Sequence, residues 1–305
     1  MKVIKPITIT DSMLSYSSVT EPGAGETAYN AGTNYGLGAT CSVIATDSHK
    51  TYESLIAGNL GNTPSANPDK WEYTGYTNRW RLFDETRNLQ TSSASPLVIT
   101  LAPGETISAF ALIGMGNIES VTVSMTQDAV EYYTYTEDLV TREVLDWYDF
   151  FYADFVTRPA TAKFDLPALH DPLITFTFTT SSGNCEVGRI AIGKHTDIGI
   201  FKLDGASMPT INYSVVDRDE FGNAVLTPRV DIPTLKGQLS IEANNLNKVR
   251  KVFKDLNGRV AVWVGIDEST HPYFDITLIN GFVREKTPIP LTNRYVQINL
   301  ELEEI

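Results

Sequence analysis

Polar and apolar positions alternate along much of this chain with a period of two, the period of a strand with one buried face. In LITFTFT (173–179), Ile174, Phe176 and Phe178 share one side and Thr175, Thr177 and Thr179 the other. In 120–127, Val121, Val123 and Met125 oppose Thr122 and Ser124 in the same way. The same pattern predicts strands over 3–9, 42–45, 96–101, 107–113, 131–136, 161–166 and 186–192. Turn signals fall between them at Pro103-Gly104, Gly114 to Gly116 and Ser182-Gly183. Many short strands without a helical period predict an antiparallel sandwich or jelly roll over 1–197.

The pattern changes after about Asp197. Residues 211–217, 238–242 and 260–264 read as strands, and one helix lies between the last two. There Leu246, Val249, Phe253 and Leu256 make an apolar stripe, Asn244 or Asn245 is placed to cap it, and Gly258 to end it. Its outer face carries Lys248, Arg250, Lys251 and Lys254, which suits either solvent or an acidic partner. Residues 274–283 read as a strand with a bulge or bend at Asn280-Gly281. In the last strand Val296, Ile298, Leu300 and Leu302 alternate with polar residues, as in a sheet covered on one side. The expected fold is mainly β, with a smaller antiparallel β-domain bearing one helix over 198–305.

Two segments stand outside this rhythm. Residues 52–84 (YESLIAGNLGNTPSANPDKWEYTGYTNRWRLFD) read as a polar loop rich in aromatic rings. Ordering a loop costs conformational entropy, so its rings either plug a core or form a binding face. Indole and phenol faces stack on the C–H face of a pyranose while amides, guanidinium and carboxylate groups bond its hydroxyls. Trp71, Tyr76, Asn78, Arg79, Trp80 and Asp84 are therefore candidate carbohydrate-binding residues; the competing reading makes WRLF a strand. Residues 144–155, VLDWYDFFYADF, read as a core plug whose acidic residues face water.

Charge narrows the range of partners. The net charge of −13 argues against non-specific nucleic-acid binding and against docking on an anionic membrane. No segment approaches the roughly 18 uninterrupted apolar residues of a membrane span, and MKVIKPITITD lacks the apolar stretch of a signal peptide. Synthesis in the cytoplasm is expected, and with it two free, buried thiols at Cys41 and Cys185. His49, His170, His195 and His271 are dispersed without metal-ligand spacing, so no metal or other cofactor is expected. Asp217, Asp219 and Glu220 resemble half of a calcium loop, but the closing Glu is missing, and a hairpin turning at Gly222-Asn223 accounts for them. No GxSxG elbow, P-loop or GxGxxG occurs. Paired carboxylates alone would suit glycoside hydrolysis, but an acidic chain supplies such candidates by chance. The chain is read as a non-enzyme.

The 52–85 segment, followed by LITFTFTTSSGNCEVGRIAIGKHTDIG, resembles the galactose-binding-like jelly roll of bacteriophage and prophage tail proteins. The next stretch, YSVVDRDEFGNAVLTPRVDIPTLKGQLSIEANNLNKVRKVFKDLNGRVAVWVG, is similar to the ring-forming β-domain that follows it in distal tail proteins of tail tips and baseplates. The resemblance implies a virion structural protein, made in the host cytoplasm and carried in the tail tip. It implies assembly with other tail proteins, as a homo-oligomeric ring through the C-terminal domain. It also implies a jelly roll displayed toward bacterial surface glycan. A free-standing carbohydrate-binding module or lectin is the alternative, since fold does not settle function.

Overall fold

The computed structural model describes residues 1–86, 89–141, 146–152, 155–290, 292 and 294–305. The chain is mainly β, as expected, and its organising element is the short strand Lys2–Pro6. Val3 and Ile4 are both buried, so both faces of this strand are covered at its centre, while Lys5 is exposed. It pairs on one side with Asn184–Asp197 and on the other with Ala261–Val264. A single antiparallel sheet therefore runs through both predicted domains. Its order is Ala160–Lys163, Ala109–Gly116, Asn184–Asp197, Lys2–Pro6, Ala261–Val264, Leu278–Pro290, Tyr295–Glu304, Asp231–Glu242 and Ile200–Ser207.

One face of this sheet is covered twice. At the N-terminal end lies a five-stranded sheet ordered Val130–Asp138, Ser120–Gln127, Leu173–Thr179, Leu97–Leu101 and Leu14–Ser17. Phe110, Leu112, Ile190 and Ile192 from the long sheet interlock with Val121, Val123, Phe176 and Phe178 from the shorter one to make the sandwich core. At the C-terminal end the helix Leu246–Asp255 packs Val249 and Phe253 onto the same face, where Phe253 stacks on Trp263 at 5.9 Å. Register ties the two ends together. Val3 sits opposite Thr196, and stepping by two from Thr196 reaches Ile192 and Ile190. The other face, carrying Ile4, Ala109, Ala111, Ala191 and Val262, is packed with Phe274 and Leu278.

Several expectations need correction. Residues 52–84 are not one loop: Thr40–Ala45, Ser48–Ser54 and Trp71–Tyr76 form a three-stranded antiparallel sheet with its own small core of Tyr35, Cys41, Tyr52 and Trp71, while 55–70 stays outside regular strands. WRLF is not a strand, because Arg81–Phe83 forms a 3₁₀ turn. Residues 274–277 are a helical turn, and the strand starts at Leu278. Its irregularity falls between Val283 and Glu285, while Gly281 stays in register with Glu304. Helix Leu246–Asp255 ends before Gly258, which takes φ +69. Asn245 occupies its N-cap without a side-chain bond to the helix, since a 3₁₀ turn over Ala243–Asn245 leads in instead. Cys41 and Cys185 are free and buried, and burial pushes the Cys41 thiol up to about 11.

Candidate functional site

The six residues singled out for carbohydrate do not converge on one site. Trp71 is only 2% exposed; its ring meets Tyr35 edge-on, and its Nε1 donates to the Asn62 carbonyl at 2.9 Å. Trp80 is buried on the far side of the segment, stacked on His49 with ring centres 4.0 Å apart. Both indoles are occupied by packing, and neither presents an open face to a sugar. Trp71→Phe is accordingly expected to lower unfolding free energy by about 1–2 kcal/mol through the lost hydrogen bond, with the fold intact. A thermal melt of the variant checks this, and an unchanged midpoint would contradict it.

His49 joins three segments. Its Nδ1 lies 2.9 Å from Glu21 Oε1 and its Nε2 2.6 Å from Asp11 Oδ1. His49 thus bridges the two carboxylates. Burial pushes the Asp11 carboxyl up, but the Asp47 backbone N–H and the His49 ring outweigh it and hold the group below its usual value. Arg79 reaches Glu21 Oε2 at 3.9 Å, and Thr77 donates to Glu21 Oε1. Arg79 thus belongs to a cluster that fastens the three-stranded sheet to the N-terminal loops. Tyr76 lies beside Tyr73, with ring centres 6.2 Å apart, and Asp84 Oδ2 accepts from the Thr86 hydroxyl at 2.7 Å.

Of the six, Asn78 borders an open cleft, a space of about 450 Å³ between the three-stranded sheet and the sandwich. One wall carries Thr40, Thr51 and Thr74 of that sheet, Thr40 and Thr51 alternating with Tyr52 along the register, and Cys41 borders it too. The other carries Asn78, Arg81 and Glu26, with Glu26 Oε1 accepting from the Asn78 backbone N–H at 2.7 Å. The Asn78 side chain is itself engaged, donating to the Ser92 carbonyl at 2.8 Å and accepting from the Ser92 N–H at 2.9 Å. Hydroxyls, amide, guanidinium and carboxylate without a stacking ring suit a small polyhydroxylated ligand. The sequence signal for this wall was the alternation of Thr with Tyr in 51–52 and 73–74, obscured once the segment was read as a loop.

The segment expected to plug a core does the opposite. Short strands Val140–Thr141 and Val156–Thr157 pair as a stalk, and the helix Trp147–Tyr152 lies between them in the chain. Val144, Leu145, Ala153 and Asp154 of that predicted plug lie outside the described residues. Trp147, Tyr148, Phe150, Phe151, Tyr152 and Phe155 are 52–79% exposed. The signal was there in part: at about 100° per residue the five rings of the helix span about 200°, wider than the stripe of about 100° that a packed surface helix buries, with Asp146 and Asp149 on the remaining side. Asp146 holds the helix start, its Oδ1 accepting from the N–H groups of Tyr148 at 2.8 Å and Asp149 at 2.9 Å.

A third projection is the hairpin Val215–Arg218 and Ala224–Thr227. Its turn is shaped by Asp219, whose Oδ1 accepts from Phe221 N at 2.9 Å and Asn223 N at 2.8 Å. These bonds, with one from the Asn223 amide, hold the Asp219 carboxyl below its usual value. Among the described residues no cluster of His, Cys, Asp and Glu is arranged to hold a metal, and no helix is long and apolar enough to cross a membrane. No protein-family model matches the chain, and no curated protein matches it.

Proposed function

We propose that the chain is a non-catalytic structural part of a bacteriophage or prophage tail tip or baseplate. It is made in the host cytoplasm and built into the virion through apolar surfaces that the single chain leaves uncovered. The hairpin carries this reading. Val216, Phe221, Val225 and Leu226 are each more than half exposed on a two-stranded arm outside the main sheets. Two strands alone are marginal in water, so such an arm suits completion by a neighbouring subunit. The resemblance of 213–265 to ring-forming tail domains supports the same role, with the sandwich turned outward. Mass spectrometry of particles purified from an induced lysogen tests it. Recovery in fixed ratio to the other tail proteins is expected, and a chain found soluble in the lysate yet missing from particles would overturn it.

The threonine-lined cleft favours a second reading, a carbohydrate-binding module or lectin, whether free or displayed on a particle. It predicts glycan-array binding that is lost in Thr40→Val/Thr74→Val, whose exposed side chains leave the fold untouched. Binding unaffected by that double change would sink it.

A further inference from the structure

The aromatic spur at 146–156 exposes more apolar surface than a single chain normally leaves in water. An aromatic side chain offers about 150–250 Å². Six of them, each more than half exposed, add up to on the order of 500 Å² or more, at or beyond the largest patch of a typical monomer. The spur is also acidic. Asp146 and Asp149 belong to it, and at its root Glu119 and Asp138 border a depression of about 620 Å³ floored by Val140 and Phe155. Its complement must therefore bring positive charge together with groups that lie well against aromatic faces. Lysine and arginine do both, as ion-pair partners and as cations stacked over rings.

Such a surface is present among the described residues. Lys248, Arg250, Lys251 and Lys254 are exposed on the outer side of the helix Leu246–Asp255, and none is in an ion pair among the described residues. The two surfaces cannot meet within one molecule. The spur leads into the edge strand Ala160–Lys163, while the helix rests on Trp263, four strand steps away across the long sheet, or roughly 20 Å at about 4.8 Å per step. With the chain at −13 overall, a second copy is repelled at most approaches and attracted at this one.

We propose that the acidic aromatic spur of one copy seats on the cationic face of helix 246–255 of the next. The contact joins two different surfaces, so each copy offers one of each and the assembly propagates as a ring or chain rather than stopping at a two-fold dimer. The pairing goes beyond the tail-tip reading, because it fixes which surfaces meet and in which direction.

Sedimentation velocity and native mass spectrometry of the purified full chain test it, with three proteins: wild type, a spur variant Trp147→Ser/Phe151→Ser and a helix variant Lys248→Glu/Lys251→Glu. All four positions are exposed, so each variant should keep the wild-type circular dichroism and melting midpoint. Wild type is expected to form oligomers larger than dimers as concentration rises, and each variant alone to stay monomeric. Mixed together, the variants should give a 1:1 dimer and nothing larger, because the intact helix of one meets the intact spur of the other. Salt at about 1 M, where the screening length is about 3 Å, should dissolve the wild-type assembly. A wild type that is monomeric throughout, a variant that assembles like wild type, a mixture without dimer, or an assembly strengthened by salt would each overturn the proposal. A chain present in particles but lacking this pairing would leave the tail-tip reading standing. A chain that pairs this way yet is missing from particles would overturn that reading alone.

Discussion

Gly193→Val should split the cooperative unfolding of this chain into two transitions. Gly193 sits on the long strand Asn184–Asp197, opposite Pro6 on one side and Ala109 on the other. A Cβ built there would lie 2.1 Å from the carbonyl oxygen of Lys5 and 3.0 Å from its carbon. Backbone cannot swing aside as a flexible side chain does, so strand Lys2–Pro6 must move. That strand is the seam: it also pairs Lys2 with Val264 and Ile4 with Val262, and through it the sandwich and the helix-bearing half share one sheet. Displacing it breaks both ladders and exposes Val3 and Ile4, now fully buried. A loss of at least about 3 kcal/mol is expected, in the range of severe core disruption. Scanning calorimetry should resolve two peaks in place of one, the halves no longer unfolding together. Gly36→Ala is the control, since nothing lies within 4 Å of a Cβ there, and it should change stability by no more than about 0.5 kcal/mol. A single unshifted peak for Gly193→Val would mean that the seam does not couple the halves.

That seam was legible only in part. Strands with one wet face appear in the sequence with clear bounds: Leu173–Thr179 and Ser120–Gln127 fold over the residues that alternation predicts, and the last strand, Tyr295–Glu304, covers the alternating run from Val296 to Leu302. Strands covered on both faces lose the alternation, and Val3-Ile4 and AVWV (261–264) are such cases, each with consecutive buried residues. Those runs announce burial but not partners. That Lys2–Pro6 would lie between 184–197 and 261–264 is a pairing between distant segments, and no local period encodes it. The candidate site failed for a different reason. A Trp or Tyr in a Gly- and Asn-rich stretch has the same chemistry whether it plugs a small core or faces a ligand. Trp71 turned inward because the three-stranded sheet is too small to bury itself without large rings, and Trp80 packs instead on His49 and Phe83. The spur misled in the opposite sense, since apolar content alone suggests burial and only the width of the aromatic sector on its helix says otherwise.

What holds the spur upright is a buried charge cluster, and removing its centre should have the second large effect. Glu137 is the next-to-last residue of the outer strand Val130–Asp138, just before the stalk, and Arg158 follows the stalk directly. Glu137 Oε1 accepts from Arg158 Nη1 and the Ser269 hydroxyl, each at 2.8 Å, and Oε2 accepts from the Thr161 hydroxyl at 2.5 Å. Arg158 also donates to the Asp138 carbonyl at 2.8 Å, and its backbone N–H donates to the Leu139 carbonyl at 3.0 Å. Both feet of the stalk are thereby clamped to each other and to the 265–277 segment of the C-terminal half. Glu137→Ala leaves the half-buried Arg158 guanidinium without its carboxylate, a change that costs about 3–5 kcal/mol where a buried pair is broken from one side. Burial pushes the Glu137 carboxyl up, but bonds from Thr161, Tyr135 and Ser269 and the charge of Arg158 outweigh it, so the folded group titrates below its ordinary 4.5. Its contribution is then complete above pH 4.5 and is lost as pH falls through the lowered folded value. Glu137→Gln, which cannot ionise, should be less stable than wild type at neutral pH and should lose less stability on acidification, so the two melting curves converge below pH 4.5. Hydrogen exchange supplies the second readout: in Glu137→Ala, amides of the stalk and spur should exchange faster while those of Leu173–Thr179 stay protected. Equal acid sensitivity of wild type and Glu137→Gln, or a spur as protected in Glu137→Ala as in wild type, would show that the cluster neither stabilises the folded state nor presents the aromatic helix.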